Sequence, residues 1–580
     1  MGGSESVSRH VLQLLDPLAI QFGENLVSAF AIVWERRDRT EAKKSIHWFP
    51  LPEPNIQQQQ ILDVACAIRS LQCDVILGVV KRVILQPNDF PLPSSNKRRK
   101  PFQESLLDFT LRFLQRQTSS AVRDAWPNLL SLVRECLALG PVVAPTNPSI
   151  SGSISEYARR AAGSSDKKDQ KDLQDICVKC IEACNAIVDC SLEHGGWLAR
   201  RAPSVIPGPH QRLATTRLEE TGSSNTSMLP QANNPNFIHS LHALNVLAQV
   251  LANLLDVIYG SEEKDKIVPV LTPVMTNVTP YLKNHSANNA PSYKAAVRLL
   301  SSVSGYQQTR RAWKREAFEL LMDNDFFRMP LDCAIEWGNV VDHLMTHDAT
   351  TFKELMVRIG LTRNAATGPS LNIFSNKEQE LEQRAMLLKR LAFVIFSSDT
   401  NQYQRHLPEI QERLSESLKL HQVPAVQAQV FLCFRVLLLR VSPNNLQSLW
   451  PSIVTELVQV LSQLEQQLTL HSFENDSLRN SDFDNPTATS SGGGILFSGQ
   501  TNISSVYSQE KWMAMYLSAC KLLDLILCLQ PTQLCHFKLF RWSFVGEPGE
   551  NEDGSTHNST TNEREFVPHC VRIKRLLARK

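Results

Sequence analysis

The 580-residue sequence has almost no net charge, with 60 Lys and Arg set against 58 Asp and Glu, so the chain as a whole lacks a field that gathers polyanions. Any contact with anionic lipid must come from local patches, and nucleic acid is not an expected partner. Long uncharged apolar runs are scarce. Arg435 and Arg440 interrupt Val430–Val441, and Lys521 and Asp524 interrupt Trp512–Leu529, short of the roughly 20 apolar residues that a membrane span needs. No bilayer-spanning segment is therefore expected. The polar start Met1–His10, which holds Arg9, does not read as a secretory signal. Catalytic signatures are missing too: there is no phosphate loop ending in Gly-Lys-Ser/Thr, no G-x-G-x-x-G, no H-E-x-x-H and no G-x-S-x-G. Neither an enzyme nor a cofactor is expected. Period-two alternation and Asn-Gly hairpin turns are lacking, which argues against a sheet.

What remains is helical periodicity. In Pro424–Val441 the residues Val426, Val430, Phe431, Phe434, Leu437 and Leu438 recur at spacings of three and four, which gives a helix a buried face. Similar stripes run through Ile61–Leu85, Asp172–Leu192, Ile238–Tyr259, Gln379–Phe396 and Trp512–Leu529. Pro408, Pro424, Pro443 and Pro451 stand near segment starts, where the fixed φ and missing N–H of proline are tolerated. Paired helices in units of roughly 40 residues predict an all-α chain of irregular helical repeats, a HEAT- or armadillo-like solenoid with disordered linkers.

Composition divides the chain. The expected helical blocks are 1–86, 102–140, 172–200, 237–471 and 509–545. Between them lie a basic loop at 87–101, a linker at 141–171, a disordered linker at 201–236, a low-complexity loop at 472–508 and an acidic loop at 546–565. A basic C-terminal helix is expected at 566–580.

Four constellations could carry function. Cys177, Cys180, Cys184 and Cys190 precede His194, but the first three share one helix face without the turn a zinc site needs, so they read as buried thiols. The 13 cysteines, with Cys66, Cys136, Cys433 and Cys528 set among aliphatic residues, suit reduced core thiols in the cytosol, and the sequons at Asn277, Asn284 and Asn558 read as chance matches. Lys97-Arg98-Arg99-Lys100 lies between Pro93 and Pro101 and reads as a solvated loop, with nuclear import or an acidic partner as its functional reading. Trp313, Phe318, Phe326, Phe327 and Trp337 stand among Arg310, Arg311, Lys314 and Arg315; at helical spacing this reads as a core with a charged rim rather than a base-stacking platform. Finally, Arg572, Lys574, Arg575, Arg579 and Lys580 are interleaved with Val571, Ile573, Leu576 and Leu577 and no acid. They are the candidate lipid-binding residues, the competing reading being a docked last helix with its cations in water.

Several segments resemble the Dopey family. They are Thr309–Glu316 running into Phe318–Leu321 and Asp325–Met329, Leu391–Phe396 with Leu407–Leu414, and Val430–Arg440 with Leu449-Trp450-Pro451 and Glu456–Val460. Leu14–Leu18 and Phe540–Phe544 accompany them. The similarity is to the C-terminal part of those much larger proteins. It implies a cytosolic scaffold peripherally attached to Golgi, including the trans-Golgi network, and to endosomes, acting in vesicle traffic between them. It also implies a large Arf-GEF-like Golgi partner, a link to kinesin light chain, and phosphatidylinositol 4-phosphate as a lipid contact; a direct phosphoinositide-binding module that links membranes to a kinesin motor is the alternative. Of the leucine-zipper-like repeat attributed to the family, Leu381 and Leu388 fit one step and Ile395 takes the next place, which reads more simply as a buried helix face.

Overall fold

The structure, a computed structural model, describes residues 2–34, 53–85, 96–138, 148–161, 167–194, 235–361, 373–419, 423–480, 503–529, 535–545 and 566–578. Among the described residues there are helices and turns and no strand. The chain is all-α, as the periodicity predicts, and forms two compact units, Met1–Leu344 and Met345–Lys580.

The first unit begins with α1 (Gly2–Trp34), α2 (Ile56–Ala67), α3 (Cys73–Leu85), α4 (Asn96–Arg116), α5 (Ser119–Asp124) and α6 (Trp126–Ala138). It continues through α7 (Pro148–Ala161), α8 (Lys167–His194), α9 (Pro235–Ile258), α10 (Ile267–Lys283), α11 (Ala290–Ser304) and α12 (Arg310–Met322), and α13 (Ala334–Thr346) runs across its end. Helix α9 packs against α7, α8 and α11. That enclosure explains why it is apolar nearly all round, with Leu241, Leu244, Leu247, Leu251 and Leu255 buried. At the other end Asn55 caps α2 in a reciprocal box: Gln58 N–H donates to Asn55 Oδ1 at 2.8 Å, and Asn55 N–H to Gln58 Oε1 at 3.1 Å. The same Gln58 amide donates to the Trp34 carbonyl at 3.1 Å, which satisfies the last turn of α1.

The second unit holds α14 (Ala349–Leu361), α15 (Ile373–Ser397), α16 (Leu407–Leu418), α17 (Pro424–Arg440), α18 (Trp450–Asn480), α19 (Ile503–Cys528), α20 (Cys535–Lys538), α21 (Arg541–Phe544) and α22 (His569–Ala578). Helices α15, α17 and α19 pack side by side, with α16 against α17 and α18 against α19. This is the repeat geometry the paired prolines suggest, and Pro408 and Pro424 do sit in the first turns of α16 and α17. Polar ties join the layers. Ser518 Oγ donates to the Ala428 carbonyl at 2.8 Å, Cys433 Sγ to the Leu388 carbonyl at 3.3 Å, and Arg384 Nε to Ser417 Oγ at 3.1 Å. Asn401, at φ 65°, takes the left-handed turn that asparagine tolerates and accepts from Ser442 N–H at 2.7 Å, fixing the α15–α16 corner to the end of α17.

The structure departs from the composition-based boundaries in three places. Asn96–Pro101 is helical, so Lys97–Lys100 stands on the first turns of α4 and not in a loop. Lysine and arginine are good helix formers, and the stripe Phe102, Leu106, Phe109 and Phe113 extends back to them. The side chains of 96–101 lie outside the described residues. The expected linker at 141–171 contains α7 and the start of α8. Its serines and glycine conceal a buried stripe of Ile150, Ile154, Tyr157 and Ala158, and Tyr157 stacks on Trp126 at 4.0 Å. Gly152 lets α7 come close to α4, because a Cβ there would stand 2.8 Å from the Leu111 side chain. In 472–508 the backbone is helical to Asn480 and again from Ile503, while 481–502 lies outside the described residues. The linker at 201–236, up to Asn234, and the acidic loop at 546–565 also lie outside them.

Among the described residues two helices are long and apolar enough to cross a bilayer on length and composition, against the expectation of none: Leu12–Trp34 and Ser240–Ile258. The second is the mostly buried body of α9. The first carries Asp16, which accepts from Ser70 N–H at 3.0 Å and Ser70 O–H at 2.8 Å, and Glu24, which pairs with Arg82 on α3. These charges tie α1 to protein.

Candidate interaction surfaces

The cysteine cluster lies on α8 as a packing element. Cys177, Cys180 and Cys184 are buried, and burial pushes all three thiols up, Cys180 to about 12. A thiol held protonated is neither a nucleophile nor a ready metal ligand. Among the described residues no group of three or more His, Cys, Asp or Glu is placed to hold a metal; the side chains of Cys190 and His194 lie outside them. Cys180 and Cys184 line a small pocket with Ile154, Val246, Leu247 and Leu251, a lining suited to packing rather than proton transfer.

Four of the five aromatic residues singled out in 309–337 are core, and the fifth, Phe327, is half-buried with its ring edge-on to Phe326 at 5.1 Å. Trp313 is 0% exposed and Trp337 1%, and Phe318 and Phe326 are buried beside them. Trp313 Nε1 donates to Thr309 Oγ1 at 3.0 Å, Trp337 Nε1 donates to Tyr293 Oη at 2.9 Å, and the Phe326 ring meets Trp337 edge-on at 5.0 Å. Arg311 and Arg315 are exposed on the other face of α12, and Arg315 Nε donates to Glu319 at 3.1 Å. Trp313, Phe318, Phe326 and Trp337 are closed to a stacking base by this burial.

The basic tail is a docked helix. α22 packs against α18 and α21. His569, buried, lies 2.7 Å from Glu465 Oε1 of α18, and Arg572 Nη1 lies 3.4 Å from the other oxygen of that carboxylate. Because a carboxylate only accepts, the bridging imidazole proton sits on Nδ1. Burial, then Cys520 and Glu465, push the Cys570 thiol up, a second sign that α22 lies against the repeat block. Of the five candidate lipid-binding residues, Arg572 is thus engaged by Glu465, Lys574 and Arg575 are exposed on α22, and Arg579 and Lys580 lie outside the described residues.

The exposed side of this end was only half legible in the sequence. Phe566 is 50% exposed, and the Arg572 guanidinium lies over its ring at 5.7 Å. Trp542, 55% exposed, meets Phe566 edge-on at 4.9 Å, with Leu539 exposed beside it. Lys538 and Arg541 on α20 and α21 are exposed as well. Residues 535–545 contain no acid, a signal present in the sequence beside the resemblance that Phe540–Phe544 carries.

Comparison with known proteins places this architecture. The model of the DOP1 C-terminal family matches residues 109–480. The chain belongs to the DOP1, or Dopey, family. It is 37% identical over 599 residues to "Protein DOP1 homolog" of Drosophila melanogaster, a match covering 100% of this chain and 22% of that protein. It is 38% identical over 577 residues to "Protein DOP1B" of Mus musculus (99% of this chain, 24% of the relative) and 32% identical over 659 residues to "Protein pad-1" of Caenorhabditis elegans (100% and 26%). The chain therefore spans about a quarter of the length of these DOP1 relatives.

Proposed function

We propose that this DOP1-family chain is a non-catalytic adaptor or scaffold in vesicle-mediated protein traffic between Golgi and endosomes, peripherally attached to the cytosolic face of their membranes. The observation that carries the reading is similarity to DOP1 relatives along the whole chain, joined to an architecture of stacked helix pairs. Such repeats present extended side faces suited to holding partners. The resemblance to the Dopey family supplies the partner classes: a large Arf-GEF-like Golgi protein, kinesin light chain and phosphatidylinositol 4-phosphate. Buried thiols of raised pKa and core-packed aromatics fit a binding role better than a catalytic one.

The test is proximity labelling and imaging of the tagged chain in cells depleted of their own DOP1-family protein. The expected result is labelling of Golgi and endosome membrane proteins, an Arf-GEF-like protein among them. A diffuse signal with no such neighbours would overturn the reading.

A further inference from the structure

We propose that the exposed face of α1 is a docking surface for a further helical repeat, supplied by the part of a DOP1-family protein that lies outside the region this chain matches. The inference rests on family membership and packing and is independent of the trafficking reading.

From Leu12 to Trp34, α1 carries two charged residues, Asp16 and Glu24, and both are turned to protein: Asp16 accepts from Ser70, and Glu24 pairs with Arg82 of α3. Trp34 adds to this inner side, its indole N–H donating to Asp108 Oδ2 at 2.9 Å, with Val27 and Ala31 buried nearby. The helix packs against α2, α3 and α4. Outward, no exposed residue of 12–34 is charged. Leu14, Leu18, Ile20, Phe22, Ile32 and Val33 are between 40% and 75% exposed. The backbone leaves the helical region at Phe22, at φ −128° and ψ 33°, and both arms of α1 carry part of this apolar surface.

Helix α9 shows how such a helix is ordinarily housed. Ser240–Ile258 and Leu12–Trp34 are both long and apolar, yet 61% of the first is buried, among α7, α8 and α11, and only 22% of the second. α1 thus has the composition of an interior helix and neighbours on one side. In an array of stacked helices the outermost member shows a polar outer face, and an apolar outer face belongs to a helix that another repeat covers. About three quarters of each DOP1 relative lies outside the match with this chain, sequence enough to supply that repeat. Carried on the same polypeptide, the repeat would face α1 at a roughly millimolar effective concentration, an advantage that a second copy of the chain lacks. An anionic bilayer fits less well. Helices that lie in a membrane interface carry Lys and Arg on their polar face, and residues 12–34 contain neither.

The test is hydroxyl-radical footprinting of the isolated chain beside full-length mouse DOP1B. Strong oxidation of Leu14, Phe22 and Ile32 is expected in the isolated chain, and loss of that labelling at the aligned positions of DOP1B. Leu14→Glu with Ile20→Glu should leave thermal unfolding of the isolated chain unchanged, because both side chains are largely exposed. Glutamate at the two aligned positions of DOP1B should instead restore labelling at the counterpart of Phe22. The proposal is overturned if the aligned positions of DOP1B label as strongly as the isolated chain does. It is equally overturned if α1 is already protected in the isolated chain; a dimer that Leu14→Glu with Ile20→Glu disperses would then assign the face to a second copy, and a monomer to the chain's own remaining residues. Flotation with phosphatidylcholine vesicles that the same double variant abolishes would assign it to membrane and overturn the proposal too. Any of these outcomes with intact Golgi and endosome labelling would remove the docking face and leave the scaffold reading standing.

Discussion

Residues 309–337 and residues 535–578 start from the same raw material, aromatic rings among arginines and lysines, and place it in opposite ways. In the first region Trp313, Trp337 and Phe326 are buried, their indole N–H groups satisfied by Thr309 and Tyr293, and the cations point outward from α12. In the second, Trp542 and Phe566 are half exposed, and Arg572, a cation, is the residue drawn inward to Glu465. Helix length separates the two. α12 is a 13-residue helix with Ala312, Trp313, Ala317, Leu320 and Leu321 buried on one face, so its rings have a core to enter. α20 and α21 are four residues each, too short to bury one face completely, and among their described side chains Phe537 and Phe544 are the buried ones.

The largest expected effect tests burial. Trp313→Ala should destabilise the first unit by about 3–5 kcal/mol, the usual cost of emptying a core aromatic site, whereas Trp542→Ala should cost less than about 1 kcal/mol. Denaturant unfolding of the two variants measures both, and equal losses would erase the contrast between the regions. Next, Glu465→Ala strands buried His569 and half-buried Arg572, so α22 should loosen at a cost of about 1–3 kcal/mol, read as faster hydrogen exchange confined to 566–578.

Two histidines of the first unit make its stability depend on pH in the same direction. His343, 2.9 Å from Ser304 Oγ, is held below its ordinary value of 6.5, by burial first and against a smaller opposing pull from Asp342. His285 shifts the same way, again chiefly by burial. A lowered folded pKa means that the unfolded chain binds the proton better. Stability is therefore full above the ordinary histidine range and is lost as pH falls through it toward the folded values. Melting temperature of the first unit should fall on acidification below about pH 6.5, and His343→Asn with His285→Asn should flatten that dependence. The smallest effect is expected at the rim: Arg315→Ala removes an exposed pair with Glu319 and should change stability by less than about 0.5 kcal/mol in the same unfolding assay.

Much of this was legible in the sequence, because helical periodicity reports burial directly: the stripe Val426, Val430, Phe434 and Leu437 became the centre of the second unit. Prolines marked helix starts for the same local reason. Composition misled where short polar residues coexisted with a stripe, as in Pro148–Ala161, whose serines and glycine read as linker while Ile150, Ile154 and Tyr157 were packing. The candidate tail was legible in its charge, and its docking as one of two readings, but not in the partners it docks against. His569 gives no sequence sign that it will meet Glu465, 104 residues away, and nothing in the spacing of Trp542 and Phe566 says that they touch. Contacts of that separation come from tertiary packing, and a single sequence does not encode them as a pattern.

Hydroxyl-radical footprinting of the intact chain, read residue by residue in a mass spectrometer, tests the central contrast most directly. The account predicts heavy oxidation of Trp542 and Phe566, with Trp313 and Trp337 protected until the chain is unfolded. Protection of Trp542 and Phe566 to the level of Trp313 would contradict it, because rings that stand half exposed here would then belong to a core.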